Sequence, residues 1–599
     1  MQIVETIKDY EISFPYDERM VHAVKSISGA WYQGNKRTWH IPRHRQREIE
    51  NLKRVFKVTA SREENDMLLM PEQIGEIAPL PDLDVELPML LKKPFTYQEN
   101  GIAYIRQQKK VIIGDQMGLG KSLEAIAALC SFGVNKENNY LTAGPGLVIC
   151  PSSLKLNWQS EWKDVAGKRA VILDNKIKRS WEQYYKVGMS DVFIVNYESL
   201  KKYFVEPGWK KPTGTKFRVN NIPFLDCINI FKWVIVDESH KIKDSKTIQS
   251  KLVMGLARGK EIIMELSGTP LLNLTEDLIA QLHVIDRLRD IVSHIPQPLD
   301  KYNKPSDFGG YQRFMGRYCS GPNRCSNLKE LNYRLNKYCY FRREKSEVLK
   351  DLPDKIRQVI RCEITNRPEY DTAIEEFKIF LKETKDSEDP AIKKRRAALA
   401  MIKIGHLKSI SISAKGKLEA AREYIEDITG GGQKIVVFIH LKEISRALKE
   451  MFPEAVTITG DDSMEQRNQA TYEFQKCKQC GVRLEGHQNQ NHAHIPSNTK
   501  IIICSSAGGE GLTLTAASNV LMVEFPWTYG KCEQYEDRCH RISQYDSVTA
   551  AYLLGYKTVD EYCYYDIVMK KKEISNEVTG ASDDVAEEMI DHLINLFNK

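Results

Sequence analysis

Short apolar runs separated by stretches of helical spacing set the plan of the chain from about residue 94 onward. The runs at 111–113, 147–150, 192–195, 234–236 and 262–264 are rich in Val and Ile and carry no polar alternation, the pattern of strands buried on both faces. Alternating with helical segments, they predict a doubly wound parallel sheet over residues 94–280. Runs at 435–438, 456–459, 501–504, 520–523 and 549–554 repeat that plan over residues 413–572. The intervening residues 281–412 read as mainly helical and basic. Upstream, 10–14 alternates, Asp17 stands where it can cap a helix over 18–27, and 31–41 reads as a hairpin turning at Gly34-Asn35. Residues 1–60 therefore predict a small α/β module. Residues 61–93 carry Pro71, Pro79, Pro81 and Pro88 among acidic residues and read as a linker with no core of its own. The expected fold class is α/β, two parallel-sheet lobes with a helical insertion and a small N-terminal module.

Length agrees with several units, since 599 residues exceed what one core supports and suit about three or four domains. No apolar run approaches the ~18 residues of a membrane span, and the first residues lack signal-peptide architecture, so an intracellular setting without membrane contact is expected. The 13 cysteines are scattered, and Cys150 and Cys504 fall inside strand patterns, which suits reduced core thiols. A net charge of +7 permits nucleic-acid binding without arguing for it. Charge is more informative locally, where Lys393-Lys394-Arg395-Arg396 contrasts with an acidic, helix-patterned tail over 573–599 containing Asp583, Asp584, Glu587 and Glu588.

The first run leads into chemistry. Val111-Ile112-Ile113-Gly114-Asp115-Gln116-Met117-Gly118-Leu119-Gly120-Lys121-Ser122 is an apolar strand entering a glycine turn and Gly-Lys-Ser. Such a turn lets backbone N–H groups approach a polyphosphate, with Lys121 on the β/γ-phosphates and Ser122 on Mg²⁺. Asp115, Met117, Gly118, Leu119, Gly120, Lys121 and Ser122 are thus candidate ATP-binding residues, although Asp115 stands where the strict P-loop spelling has glycine. Downstream, Val234-Ile235-Val236-Asp237-Glu238-Ser239-His240 ends a buried run in two carboxylates. Asp237 is the candidate Mg²⁺ ligand and Glu238 the group that polarises the attacking water. Leu266-Ser267-Gly268-Thr269-Pro270 and Gln534-Tyr535-Glu536-Asp537-Arg538-Cys539-His540-Arg541-Ile542-Ser543-Gln544 complete an ordered set of four motifs.

In this order the motifs resemble superfamily 2 helicase-like ATPases of the Swi/Snf type, within them the annealing-helicase branch, over roughly residues 94–572. Gln116, Ser122, Ser239 and Ser543 depart from the usual spelling, and Arg342-Arg343-Glu344-Lys345 stands where the family has its arginine-arginine-x-lysine pattern. The resemblance implies two RecA-like lobes, a helical protrusion and brace over 281–412, and ATP with Mg²⁺ in the cleft. It implies adenine recognition by Gln98, a cleft loop at 508–512 including Gly511, and arginine fingers at Arg538 and Arg541. Pro151, Ser152, Asn196 and Tyr197 would contact the DNA backbone, Trp527 the DNA track, and Ser267-Gly268-Thr269 would couple hydrolysis to strand movement. Implied partners are duplex, forked or junction DNA and a replication or repair protein.

Trp31, Tyr32, Trp39 and His40 interleave with Lys36, Arg37, Arg43 and Arg45, a composition able to stack bases and neutralise phosphates and equally able to form a small sheet core. The pattern also resembles the HARP module of annealing helicases, which implies DNA contact through Trp31 and Trp39. One insertion departs from the motor plan. Cys477-Lys478-Gln479-Cys480-Gly481 precedes His487, His492 and His494 within 476–497, a donor set for one structural Zn²⁺ held by Cys477, Cys480 and two histidines. The functional expectation is an ATP-driven translocase on duplex DNA. The alternatives are a strand-separating DNA or RNA helicase and a nucleic-acid-binding scaffold with a vestigial ATPase, and no unassigned carboxylate cluster suggests a nuclease.

Overall fold

The computed structural model describes residues 2–565 apart from single residues and short stretches, among them 34–37, 53–71, 133–143, 269–274, 289–307, 320–325, 384–389, 485–491, 506–511 and 527–528. Thr269, His487, Gly511, Trp527 and the acidic tail lie outside the described residues.

The N-terminal module is an antiparallel sheet of β1 (Gln2–Glu5), β2 (Asp9–Ser13), β3 (Trp31–Gln33) and β4 (Thr38–Pro42), in the order β1-β2-β4-β3, with the helix Glu18–Lys25 between β2 and β3. Ile12, Ile41, Val24, Met20 and Trp39 form its core.

The first lobe is built on β5 (Lys110–Ile113), β6 (Gly146–Cys150), β7 (Ala170–Ile172), β8 (Val192–Asn196), β9 (Trp233–Asp237), β10 (Ile262–Leu266) and β11 (Tyr340–Phe341). All pair in parallel, in the order β11-β5-β10-β9-β6-β8-β7. Each face carries its own apolar layer: Ile112, Leu147, Phe193 and Val234 on one, Val111, Val148, Ile194 and Ile235 on the other. This two-sided burial explains why the runs contain no polar alternation. The second lobe holds β12 (Lys355–Cys362), β13 (Ile435–Ile439), β14 (Val456–Ile458), β15 (Ile501–Ser505), β16 (Asn519–Met522) and β17 (Val548–Gly555), parallel in the order β12-β17-β16-β13-β15-β14. Among the described residues no helix is long and apolar enough to cross a membrane.

One boundary drawn from the sequence is corrected, and the linker gains contacts. Residues 281–412 are not a separate helical unit: β11 is the edge strand of the first sheet, hydrogen-bonded through Ile112 and Gly114 to the Cys339 and Phe341 carbonyls, and β12 is the edge of the second. Ile364, Tyr370, Phe377, Ile404 and Leu407, on the helices Arg367–Glu383 and Pro390–Ser413 or just before them, belong to the second lobe's core. The linker is not detached from the motor. Leu80, Leu83, Leu87 and Leu90 pack on the first lobe, Glu72 pairs with Arg334 and Lys337, and Asn100 donates to the Pro81 carbonyl at 3.1 Å. Residues 72–91 form a strap along that lobe, using a few spaced leucines in place of a core.

Candidate active site

Sheet register brings three loops to one edge. Leu266 of β10 is level with Ile113 of β5 and with Asp237 of β9, so Gly114, Ser267 and Glu238 leave the sheet side by side at its carboxyl end. This is where ligands bind in open parallel sheets.

The loop after β5 runs into the helix Lys121–Ser131, with Gly118 at φ +88° and Gly120 at φ +77°. A Cβ on Gly118 would also lie 2.8 Å from the Cβ of Arg541, so glycine is required there by conformation and by the close approach of the second lobe. Lys121 Nζ donates to the Asp115 carbonyl at 2.6 Å, and burial lowers its pKa. Leu119 has a buried side chain, which leaves only its backbone to face a phosphate.

Glu238 sits in the left-handed region at φ +52°, a strained conformation for this residue type, and its N–H donates to Asp237 Oδ1 at 2.9 Å. Trp158 Nε1 donates to Asp237 Oδ2 at 2.7 Å, and the Tyr197 hydroxyl donates to the Asp237 carbonyl at 2.6 Å. His240 Nδ1 lies 3.3 Å from Glu238 Oε2 and 3.3 Å from Ser267 Oγ, joining the carboxylate pair to the Ser-Gly loop. Burial and the neighbouring Glu238 charge push the Asp237 pKa up. Burial opposes ionisation of Glu238 too, but His240, Lys121 and Arg538 more than offset it and hold that carboxyl below its ordinary range. Glu238 is therefore held ionised, and Asp237 is the carboxylate whose charged form an added cation would favour. Carboxylate oxygens of this kind are the hard donors that suit Mg²⁺.

The second lobe contributes the helix Tyr529–Glu536 and the segment after it. Arg541 Nη1 donates to Thr513 Oγ1 at 2.6 Å and to the Leu512 carbonyl at 3.2 Å, with its backbone against Gly118. Arg538 is buried near enough to Glu238 to lower its pKa. Gln116 spans the cleft, accepting from the Lys345 N–H at 2.9 Å and donating to Glu533 Oε1 at 3.0 Å. A carboxylate at position 116, as in the usual family spelling, would face Glu533 like against like, which gives this departure a physical reason.

Five expected roles are corrected. Gln98 is buried, its Nε2 donating to the Leu119 carbonyl at 3.0 Å and its Oε1 accepting from the Phe95 N–H at 2.9 Å, so its amide anchors the phosphate loop and presents no free edge to adenine. Asp115 is fully buried and its carboxylate is taken up by the Arg343 guanidinium and backbone N–H, which leaves it no exposed edge for a ligand. Tyr197 lies under Asp237, and Asn196 is buried with its amide on Glu198 at 2.7 Å, so neither is placed to touch a DNA backbone. Trp39 is core to the N-terminal module, whereas Trp31 is 50% exposed and stacks on His40 at 4.2 Å. Pro151 and Ser152 follow β6 directly, Pro151 buried and Ser152 exposed.

The sequence analysis assigned no role to the residues that tie these loops together. Arg343 bridges Asp115 and Glu124, with its Nη2 2.8 Å from both Glu124 oxygens. Arg342 donates to the Gly268 carbonyl at 2.8 Å and the Gly114 carbonyl at 3.2 Å. Lys345 pairs with Asp537 at 2.9 Å and donates to the His540 carbonyl at 2.5 Å. Two adjacent arginines directly after an apolar pair were the available signal. Arg343→Ala would leave Asp115 and Glu124 buried without a counter-charge. We expect it to destabilise the chain by about 3–5 kcal/mol in urea unfolding, with little recovery in Arg343→Lys, whose single ammonium cannot span both carboxylates.

Comparison with known proteins decides the family. The SNF2-related domain matches residues 39–408, well over half the chain, and the Helicase conserved C-terminal domain matches residues 416–543. The chain belongs to the SNF2-related family. It is thus a helicase-like, ATP-hydrolysing enzyme, a family that uses ATP with Mg²⁺. This SNF2-related chain is 25% identical to the SWI/SNF-related matrix-associated actin-dependent regulator of chromatin subfamily A-like protein 1 homolog of Caenorhabditis elegans, over 95% of its own length and 74% of the relative's. It is also 25% identical to the DNA annealing helicase and endonuclease ZRANB3 of Bos taurus, over 82% of its own length and 41% of the relative's. Among solved structures, a Sulfolobus solfataricus SWI2/SNF2 ATPase core in complex with dsDNA aligns over 87% of the SNF2-related chain and 98% of its own, with 21% identity and a TM-score of 0.34.

Proposed function

We propose that this chain is an ATP-driven translocase on duplex DNA that remodels forks, rewinds separated strands or displaces bound protein. The observation carrying the proposal is the seat of the Arg541 backbone and Cβ on Gly118, which brings the arginine-bearing segment of the lobe without a phosphate loop against the loop of the other. Two lobes sharing one nucleotide close when it binds and part when it is spent, and that cycle can drive stepping along a strand. The kinship to a protein named as a DNA annealing helicase favours rewinding over strand separation.

Within the cycle, Lys121 and the loop N–H groups bind the phosphates and Glu238, ionised and oriented by His240, accepts a proton from the attacking water. Arg541 and Arg538 meet charge developing on the γ-phosphoryl oxygens. Asp237 and Ser122 would hold Mg²⁺, which lowers the charge repulsion at the phosphates. Among the described residues the thiols are free and mostly buried, which supports an intracellular setting.

The N-terminal module supplies the junction contact in this proposal, through Trp31. Trp31→Ala is expected to weaken binding to a single-strand/double-strand junction by about 1–3 kcal/mol in fluorescence titration and to leave the fold intact. Trp39→Ala should instead unfold the module, at a cost of about 3–5 kcal/mol. The deciding experiment is steady-state ATP turnover without nucleic acid and with single-stranded, duplex or forked DNA or RNA, paired with a strand-rewinding assay. Stimulation by duplex or forked DNA with rewinding is the expected result. Stimulation by single strands or RNA alone would favour strand separation, and absence of turnover would leave only a binding scaffold.

A further inference from the structure

The insertion after the helix Met464–Gln475 has no part in the nucleotide cleft, yet its backbone is closely organised. Lys476 pairs with Arg483 and Cys477 with Pro496 in isolated antiparallel bridges. Within the turn so formed, the Cys477 N–H donates to the Val482 carbonyl at 2.8 Å, the Gly481 N–H to the Cys477 carbonyl at 2.9 Å, and the Lys478 N–H to the Ile495 carbonyl at 2.7 Å. Gly481 takes φ +73°, the conformation that closes a Cys-x-x-Cys-Gly turn with both sulfurs on its inner side.

One ligand atom each from Cys477, Cys480 and His492 lies within 4.8 Å of the others. Cys477 Sγ stands 3.5 Å from His492 Nε2. Sulfur and nitrogen bound to a single tetrahedral zinc, at ~2.3 and ~2.0–2.1 Å, are separated by about 3.5 Å, so the observed edge is that of a shared ion. Cys477 Sγ also accepts the Ile495 N–H at 3.4 Å, the kind of outer hydrogen bond that orients a thiolate ligand. Both thiols are free, so no disulfide competes for them. Apart from Cys477, the only buried residue among the described part of 476–497 is Ser497, so the segment has no apolar core to fold around.

We propose that Cys477, Cys480 and His492 hold one Zn²⁺ in a structural site that folds this insertion. The fourth tetrahedral position falls to a donor outside the triad; His494 meets the Gln475 carbonyl at 3.2 Å. The knuckle is rooted in the second lobe. Ser497 Oγ donates to the Glu473 carbonyl at 2.6 Å, and buried Lys434 reaches the Phe474 carbonyl, Ser497 Oγ and the Thr499 carbonyl at 2.6–2.8 Å. Gln475, two residues before Cys477, accepts the Ala516 N–H and donates to Thr515 Oγ1, which pairs with Ser543 Oγ at 3.2 Å, two residues beyond Arg541. The ion thus secures the end of a helix that braces the arginine segment.

Metal analysis of the full chain, grown with zinc and purified without chelator, tests the proposal. About one zinc per chain is expected, since the described residues hold one such donor set. Cobalt exchanged into the protein should give intense d–d bands and a thiolate-to-cobalt charge-transfer band. Cys480→Ser, a near-isosteric change, and His492→Ala should each abolish both signals. Removing the ion should raise amide exchange in residues 476–484 and 492–497 and leave the first sheet protected. Less than about a tenth of an equivalent of zinc in the unaltered chain, or full retention in both variants, would overturn the assignment. These readouts are independent of ATP turnover and of DNA.

Discussion

Arg541→Ala is expected to lower ATP turnover by roughly 10³–10⁵-fold, the range over which an arginine opposite the γ-phosphoryl group contributes to rate. The residue sits against Gly118, the glycine whose left-handed φ gives the phosphate loop its turn, and its guanidinium is held by Thr513 and the Leu512 carbonyl. Those tethers supply the positioning that makes such a charge effective in a transition state. ATP affinity should fall far less than kcat, because the contact strengthens as charge develops on the oxygens being transferred. Arg541→Lys should recover only a small part of the rate, since an ammonium cannot hold both tethers and present a second nitrogen to the phosphate. Single-turnover hydrolysis alongside equilibrium ATP binding separates the two quantities. A parallel loss in both would make Arg541 a ground-state contact only.

Glu238→Gln should cost roughly 10²–10⁴-fold in turnover, the usual contribution of a positioned general base. The side chain is nearly isosteric, so the left-handed backbone at 238 and the Asp237 contacts from Trp158 and Tyr197 should persist. His240, Lys121 and Arg538 together hold Glu238 ionised well below neutral pH. The activity of the unaltered enzyme should therefore not fall off, through this group, until the medium is more acidic than an ordinary glutamate would allow. The amide variant should still bind ATP and close the cleft, and so accumulate a nucleotide-bound state on DNA that filter binding can detect. Loss of ATP binding itself would show that Glu238 supports the site structurally.

The strands and loops that carry Lys121, Asp237 and Ser267 were legible because strands buried on both faces must be apolar throughout, and such runs end abruptly where chemistry begins. The edge strands were not. β11 is a two-residue pair, and in β12 Lys355 and Arg357 turn inward onto Glu536 and Asp537 while Ile356 is 53% exposed, so its polar and apolar positions read the reverse of an ordinary half-buried strand. Side-chain direction was the other limit. Trp31 and Trp39 share a hairpin, but Trp31 lies opposite His40 and Tyr32 opposite Trp39, so aromatics occupy both faces and alternation could not say which was inward. Tyr197 and Asn196 sit at a strand end where a ligand contact was reasonable. The structure turns the tyrosine onto the Asp237 carbonyl, a contact 40 positions away that periodicity does not encode. Asp115 and Gln98 were misread for the same reason, their polar atoms being needed to hold the loop that the motif defines.

Residues 342–354, which carry the chain from β11 to β12, hold both lobes at once. Arg342 and Arg343 grip the loops of one lobe, and Lys345 grips the His540 carbonyl and Asp537 of the other, all within four residues of sequence. The phosphate loop and the Arg541 segment are thus yoked by one short covalent arm in addition to their direct contacts, Gln116 with Glu533 and Gly118 with Arg541.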